Sequence, residues 1–214
     1  MSNITEIVFI LDKSGSMHGL EADTIGGFNS LIEKQKSEDG EVYVSTVLFD
    51  NGTQVLHDRL PLNKVEPLTQ EQYIPGGGTA LLDAVGDAIH HIGNIHKYAR
   101  KEDIPQKTLF VITTDGMENA SHRFRYKDVK RIIQRQQEKY GWEFLFLGAN
   151  IDAAKAAADI GISRDRAAQY KCDSRGTGLV YKSVSNAMSC ARACAPMSAD
   201  WKADLEEDVS RRGR

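Results

Sequence analysis

Cysteine is scarce in this chain, and the three present, Cys172, Cys190 and Cys194, are odd in number and fall late in the sequence. A disulfide framework needs paired cysteines spread through the fold, so reduced thiols are expected. Long apolar runs are missing too. No stretch approaches the ~20 consecutive apolar residues of a membrane span. Met1 to Glu6 leads straight into a strand pattern, without the basic and apolar regions of a secretory leader. Nor is there an excess of one charge, since the net charge is -3 and the pI near 6.1. Arg211, Arg212 and Arg214 form only a short basic end, so neither nucleic acid nor a membrane is an expected partner. Internal repeats and low-complexity segments are lacking. What is left is a chain of 214 residues, 41% hydrophobic and 27% charged, sized for one substantial core and expected in the cytoplasm.

The residues that are present alternate between strand and helix patterns. Ile7 to Ser16 begins with an apolar run of strand length that stops at Asp12. Leu20 to Lys36 carries Leu20, Phe28, Leu31 and Ile32 at helical spacing. Val42 to Asp50 reads as a strand, Asn51-Gly52 as a hairpin turn, and Thr53 to Asp58 as an antiparallel return at a sheet edge. Leu60 to Pro75 holds three prolines and is expected to be a loop arriving at Gly76-Gly77-Gly78-Thr79. There Leu81, Leu82, Val85, Ile89 and Ile92 mark a helix. Thr108 to Thr114 is a near-continuous apolar run, the signature of a strand buried on both faces. A helix over Val129 to Tyr140, a strand over Trp142 to Leu147, a short helix over Asp152 to Ile160 and a short strand around Ala167 to Lys171 follow. The last helix is expected over Gly178 to Ala195, ended by Pro196. This order predicts an α/β fold with a mostly parallel sheet, in one domain over 1–195. Residues 196–214 read as a polar tail in which Trp201 is placed to dock on the domain or on another protein.

Oxygen donors gather at the predicted strand ends. Asp12, Ser14 and Ser16 are spaced by two, and side chains two apart in extended chain point the same way. Asp115 follows the buried central strand, and Thr79 opens a helix after the glycine run. Ligands of open α/β sheets bind beyond the carboxyl ends of the strands, so all five residues can occupy one rim. Two carboxylates and three hydroxyls make an all-oxygen set without imidazole or thiolate. Such a set suits magnesium or manganese and disfavours zinc or copper. Gly15 and Gly76 to Gly78 let the backbone come close to an ion.

Through Asp12-Lys13-Ser14-Gly15-Ser16, Thr79 in GGGTALLD and Asp115 in TTDGMENAS, the chain resembles the von Willebrand factor type A (VWA) family. The metal-ion-dependent adhesion site (MIDAS) of that family is written D-x-S-x-S, then a distant T, then a distant D. The resemblance covers roughly Thr5 to Ala195. It implies a three-layer, Rossmann-like fold: a mostly parallel six-stranded sheet with helices on both faces, and one antiparallel edge strand supplied by the Asn51-Gly52 hairpin. It also implies Mg²⁺ as the ion, with Mn²⁺ or Ca²⁺ as alternatives. Ser14 and Ser16 would be direct ligands, Thr79 direct or through water, and Asp12 and Asp115 often at one remove through water. An ion held this way keeps an open position for a carboxylate of a partner protein. The implied function is therefore metal-dependent binding of an acidic partner segment rather than catalysis, in assemblies such as those with AAA+ ATPases or of stress and defence complexes. Self-association, with Glu206 or Glu207 of the tail capping a neighbour's metal, is the other arrangement. Met17-His18-Gly19 carries no carboxylate pair, so the additional neighbouring metal site of integrin-type members is not expected. Glu118 and Asn119 stand between two roles, bonding ligand hydroxyls or facing solvent.

The same rim admits a competing reading, a metal-dependent hydrolase or phosphatase. A carboxylate nucleophile of the haloacid-dehalogenase type at Asp12 needs a second acid two residues on, where Ser14 stands. A serine nucleophile at Ser14 or Ser16 has His18 or His122 as a base but no evident orienting group. The glycine run lacks the lysine of a P-loop and the spacing of a dinucleotide site. His90, His91 and His96, on one helix, are expected to be solvated or paired at the surface. Cys190 and Cys194, a helical turn apart, are expected as buried thiols rather than a zinc site.

Overall fold

A strand that is apolar on both faces is stable only where both faces are covered. In the computed structural model, which describes residues 4–213, six strands provide that arrangement: β1 (Ile4–Asp12), β2 (Glu41–Phe49), β3 (Thr53–Pro61), β4 (Lys107–Thr114), β5 (Glu143–Gly148) and β6 (Ala167–Gln169). They form one sheet in the order β3-β2-β1-β4-β5-β6. Every pairing is parallel except β2 with β3. The hairpin therefore supplies the lone antiparallel edge. Central β1 is buried at every position.

Six helices complete the layers: α1 (Glu21–Lys36), α2 (Leu81–Tyr98), α3 (Tyr126–Tyr140), α4 (Ala153–Asp159), α5 (Ser174–Arg192) and α6 (Ala203–Arg212). Alternation along β1 assigns them to faces. Ile7, Phe9 and Leu11 pack with α1 and α5 residues such as Phe28, Leu31, Val184 and Met188. Val8 and Ile10 pack with Leu82, Val85 and Ile89 of α2, Val129 and Ile133 of α3, and Ala157 of α4. The result is the three-layer, mostly parallel α/β architecture expected from the sequence.

Close approach of α1 and α5 depends on one glycine. A Cβ on Gly27 would lie 2.2 Å from the Tyr181 ring. Further along, Arg192 donates to the carbonyls of Gln35 in the last turn of α1 (2.7 Å) and of Glu38 just beyond it (2.6 Å), which ties α5 to the end of α1. At the far edge of the sheet from the strand carboxyl ends, buried Glu6 is bonded by Arg59 Nε (2.7 Å) and His96 Nε2 (2.6 Å). His91 bonds Asp58 at 2.7 Å and His90 meets Phe124 edge-on, so the helical histidines have local partners.

Several segments depart from the sequence expectation. The Leu60 to Pro75 loop buries Leu62, Val65, Leu68 and Tyr73 and so belongs to the core. Helix α5 starts at Ser174 rather than Gly178, because Asp173 caps it by accepting from Gly176 N–H at 2.8 Å. Residues 196–213 do not trail as a polar tail: Met197, Trp201 and Leu205 join the α1/α5 core, and Trp201 Nε1 donates to Asp165 O at 2.8 Å. A few apolar anchors at the right spacing suffice to dock a segment whose composition is otherwise polar. The expected burial of the thiols is only partial, since Cys190 is half-buried and Cys194 exposed. Among the described residues no helix is long and apolar enough to cross a membrane.

Replacing Gly27 by alanine should force Tyr181 off its seat and destabilise the fold by about 1–3 kcal/mol, as overpacking does. A lowered urea midpoint with an unchanged m-value checks this.

Candidate metal centre

Parallel pairing sets the rim. Leu11 stands opposite Thr113 in the β1–β4 register, which places Asp12 beside Thr114. Thr114 Oγ1 donates to Asp12 Oδ2 at 2.6 Å, and Ser14 N–H donates to Oδ1 at 2.7 Å. The 3-10 turn Gly15–Met17 then folds Ser16 back, bringing its Oγ to 3.2 Å from Ser14 Oγ. Ser16 Oγ donates to Asp115 Oδ1 at 2.5 Å. Thr79 arrives from the other side of Gly116: a Cβ there would lie 3.3 Å from Thr79 Oγ1 and 3.5 Å from Ser16 Oγ. Asp12, Ser14, Ser16, Thr79 and Asp115 thus come together at the carboxyl ends of β1 and β4.

The charge balance of this cluster is unusual. Asp12 and Asp115 are 1% and 2% exposed, yet no lysine, arginine or histidine among the described residues forms an ion pair with either. Lys13, the nearest basic residue in sequence, is committed to Asp50 at 2.7 Å. Burial raises the Asp12 carboxyl above its ordinary range, the bonds from Ser14 and Thr114 oppose this, and the charge of Asp115 adds to it. Buried carboxylates without a counter-charge are costly, and a bound cation would supply the missing charge. Among the described residues no cluster of three or more His, Cys, Asp and Glu side chains is placed to hold a metal; the groups gathered at this rim are two carboxylates and three hydroxyls, an all-oxygen set of the kind hard ions take. One soft group lies close by. Cys172 Sγ is 3.6 Å from Asp115 Oδ2, and burial together with that carboxylate pushes its thiol up to about 11.

Other residues hold the loops in place, and sequence reasoning missed most of them. Tyr73, buried under the rim, donates to the Asp12 carbonyl at 2.5 Å. Asn51 Oδ1 accepts from Gly78 N–H at 2.7 Å, and Asn119 Oδ1 accepts from Thr79 N–H at 2.8 Å. Glu118 accepts from Leu82 N–H (2.9 Å) and from Ser121 N–H (2.7 Å), which ties the loop after β4 to the start of α2. Glu118 therefore has a third role, neither of the two expected from sequence, while Asn119 is exposed and also anchors Thr79. Asp83 completes the weld by accepting from the backbone of His122, Arg123 and Phe124 at 2.8–3.0 Å. Burial pushes the Asp83 carboxyl up, but those N–H groups and the Arg123 guanidinium hold it below the usual carboxylate range. The only sequence signal for these tethers was the proximity of Glu118 and Asn119 to Asp115.

A three-layer αβα sandwich with one antiparallel edge strand and a hydroxyl-rich rim defines the doubly wound class whose ligands sit at strand carboxyl ends. Solved structures place the chain more narrowly: it has the VWA fold. Proximal thread matrix protein 1 from the mussel byssus, in a form with a zinc-occupied MIDAS motif, superposes with a TM-score of 0.57 at 15% identity, over 88% of this chain and 46% of that one. A von Willebrand factor type A protein from Catenulispora acidiphila gives 0.55 at 17% identity, over 86% and 42%. The vWF domain of the type V pilus tip protein Mfa5 from Porphyromonas gingivalis gives 0.60 at 10% identity, over 88% and 96%. The chain spans less than half the length of the first two. No protein-family model and no curated protein matches the sequence.

Asp83→Ala should lower the unfolding free energy by about 1–3 kcal/mol at neutral pH, because three backbone donors lose their acceptor. A carboxyl with a depressed folded-state pKa stabilises above its unfolded value and loses that contribution as pH falls through the folded one. The gap between wild type and variant in urea denaturation therefore narrows only below about pH 4.

Proposed function

We propose that this chain is a divalent-cation-dependent protein-binding module rather than an enzyme. In this reading Asp12, Ser14, Ser16, Thr79 and Asp115 hold Mg²⁺ at a MIDAS-type site, and the ion bridges to a carboxylate of a partner. The observation that carries the reading is the pair of buried carboxylates, Asp12 and Asp115, surrounded by hydroxyls and without a cationic partner among the described residues. The all-oxygen donors favour Mg²⁺, with Mn²⁺ or Ca²⁺ as substitutes. The zinc-occupied MIDAS of the mussel protein is a precedent for a divalent ion on this fold.

When bound, the ion supplies an electrophilic position that an acidic side chain can fill. The chain's own residues do the rest. Thr114 and Ser14 N–H orient Asp12, Ser16 orients Asp115, and the glycine run with Asn51 and Asn119 carries Thr79 to the rim. We place the module in the cytoplasm, where its unpaired thiols persist reduced. Its partner would be an acidic segment in a larger assembly, such as an AAA+ ATPase or a stress or defence complex. Capping of a neighbour's metal by the C-terminal segment gains little support, because Glu206 and Glu207 are engaged by Lys202 and Arg211 on the same helical stretch.

Mg²⁺ at about 100 times its Kd should add about 2.7 kcal/mol to the unfolding free energy, and Asp12→Ala or Thr79→Ala should remove that increment. In pull-downs from a cell extract, a partner should be retained in Mg²⁺ and released by EDTA. An unfolding midpoint insensitive to every divalent ion, together with partner retention unchanged by EDTA, would exclude the reading.

A further inference from the structure

We propose that Asn51 and Asn119 are the recognition donors of the rim, hydrogen-bonding through their amide nitrogens to the partner's carboxylate while that carboxylate occupies the metal. The inference rests on the metal-binding reading above and adds to it the residues that select the ligand. Both asparagines are exposed. Each is fixed through its oxygen, Asn51 Oδ1 to Gly78 N–H and Asn119 Oδ1 to Thr79 N–H, at 2.7 and 2.8 Å. A carboxamide whose oxygen must accept has its orientation decided, so its NH₂ is the end left over as donor. Neither NH₂ has a partner among the described residues.

The two amides meet over the glycine run. A Cβ on Gly78 would lie 2.7 Å from Asn119 Oδ1 and 2.9 Å from Asn51 Oδ1, and one on Gly77 would lie 2.6 Å from Asn51 Nδ2. Gly77 in turn accepts from Gly15 N–H at 3.1 Å, between Ser14 and Ser16, while Asn119 is bonded to Thr79 itself. The absence of side chains at Gly77 and Gly78 is thus what lets both carboxamides reach the edge of the site. They come from separate loops, the β2–β3 turn and the segment after β4, so two independent elements deliver the same chemical group to one place.

The chemistry explains why neutral donors belong here. A carboxylate approaching Asp12 and Asp115 meets like charge, and the basic residue nearest in sequence, Lys13, is held by Asp50. A free arginine or lysine at the rim would attract the ligand but would also compete with a metal ion for the same buried carboxylates. Amide N–H groups attract the second carboxylate oxygen without adding a charge. The ligand class that follows is a carboxylate able to present one oxygen to the metal and the other to N–H donors, rather than an anion needing the metal alone.

The test uses Asn51→Asp and Asn119→Asp, made singly and together. Aspartate keeps the oxygen that accepts from Gly78 or Thr79 N–H, exchanges the donor for an acceptor and adds a negative charge that acts alike on the two monoanionic ligands compared below. Mn²⁺ binding is followed by water-proton relaxation, and the loaded protein is titrated with acetate and, separately, with azide, which requires only the metal. Expected are Mn²⁺ affinities equal to or above wild type, and an acetate affinity in the double variant that falls roughly tenfold more than the azide affinity. Parallel losses for acetate and azide, or no loss of acetate, would overturn this proposal while leaving the metal site intact. Absence of Mn²⁺ binding by the wild type would overturn the metal reading and this proposal with it.

Discussion

Thr114 Oγ1 to Asp12 Oδ2, 2.6 Å across the two central strands, is the contact that makes the rim possible. It holds a carboxylate at 1% exposure by neutral donors alone, in a place fixed by the parallel register of β1 and β4. Two such carboxylates side by side are held by hydroxyl and N–H bonds, and burial with the Asp115 charge raises the Asp12 pKa against them. Everything nearby follows from that condition. The 3-10 turn folds Ser16 onto Asp115, and Tyr73 fills the space beneath the Asp12 carbonyl.

Around this centre, polar side chains stand in for regular structure. The loop after β4 has no ladder of its own between β4 and α3. Glu118, Asn119 and Asp83 bond it instead to the start of α2, each satisfying backbone N–H groups that helix starts and turns leave open. The same bonds bring Thr79 to the rim. Loop order and site geometry are therefore one problem with one solution.

Much of this was legible in the sequence, and the boundary of legibility is physical. Strands such as Thr108 to Thr114 announce themselves because burial on both faces demands unbroken apolar residues. The D-x-S-x-S spacing could be read because strand geometry fixes which side chains align. The tethers of Asn51 to Gly78, Asp83 to His122 and Glu118 to Leu82 could not, since those partners lie 27, 39 and 36 residues away and no local pattern pairs them. The start of α5 was hidden by Gly176 and Gly178, whose low helix propensity is offset by the Asp173 cap. The C-terminal segment was hidden by its charges: its apolar anchors Met197, Trp201 and Leu205 are too few to shift the composition, and the ion pairs of Asp204, Asp208 and Arg212 with Lys182, Arg175 and Asp173 are made with distant residues.

The Tyr181 ring seated over Gly27 has a mechanical consequence. A ring lodged in the gap left by a missing side chain indexes one helix against the other, as a pawl does in a toothed wheel. Sliding α5 along α1 would require the ring to lift out and Arg192 to leave the carbonyls of Gln35 and Glu38 at and just beyond the end of α1. That seat opposes gradual sliding of the pair and holds the layer beneath the rim in one register.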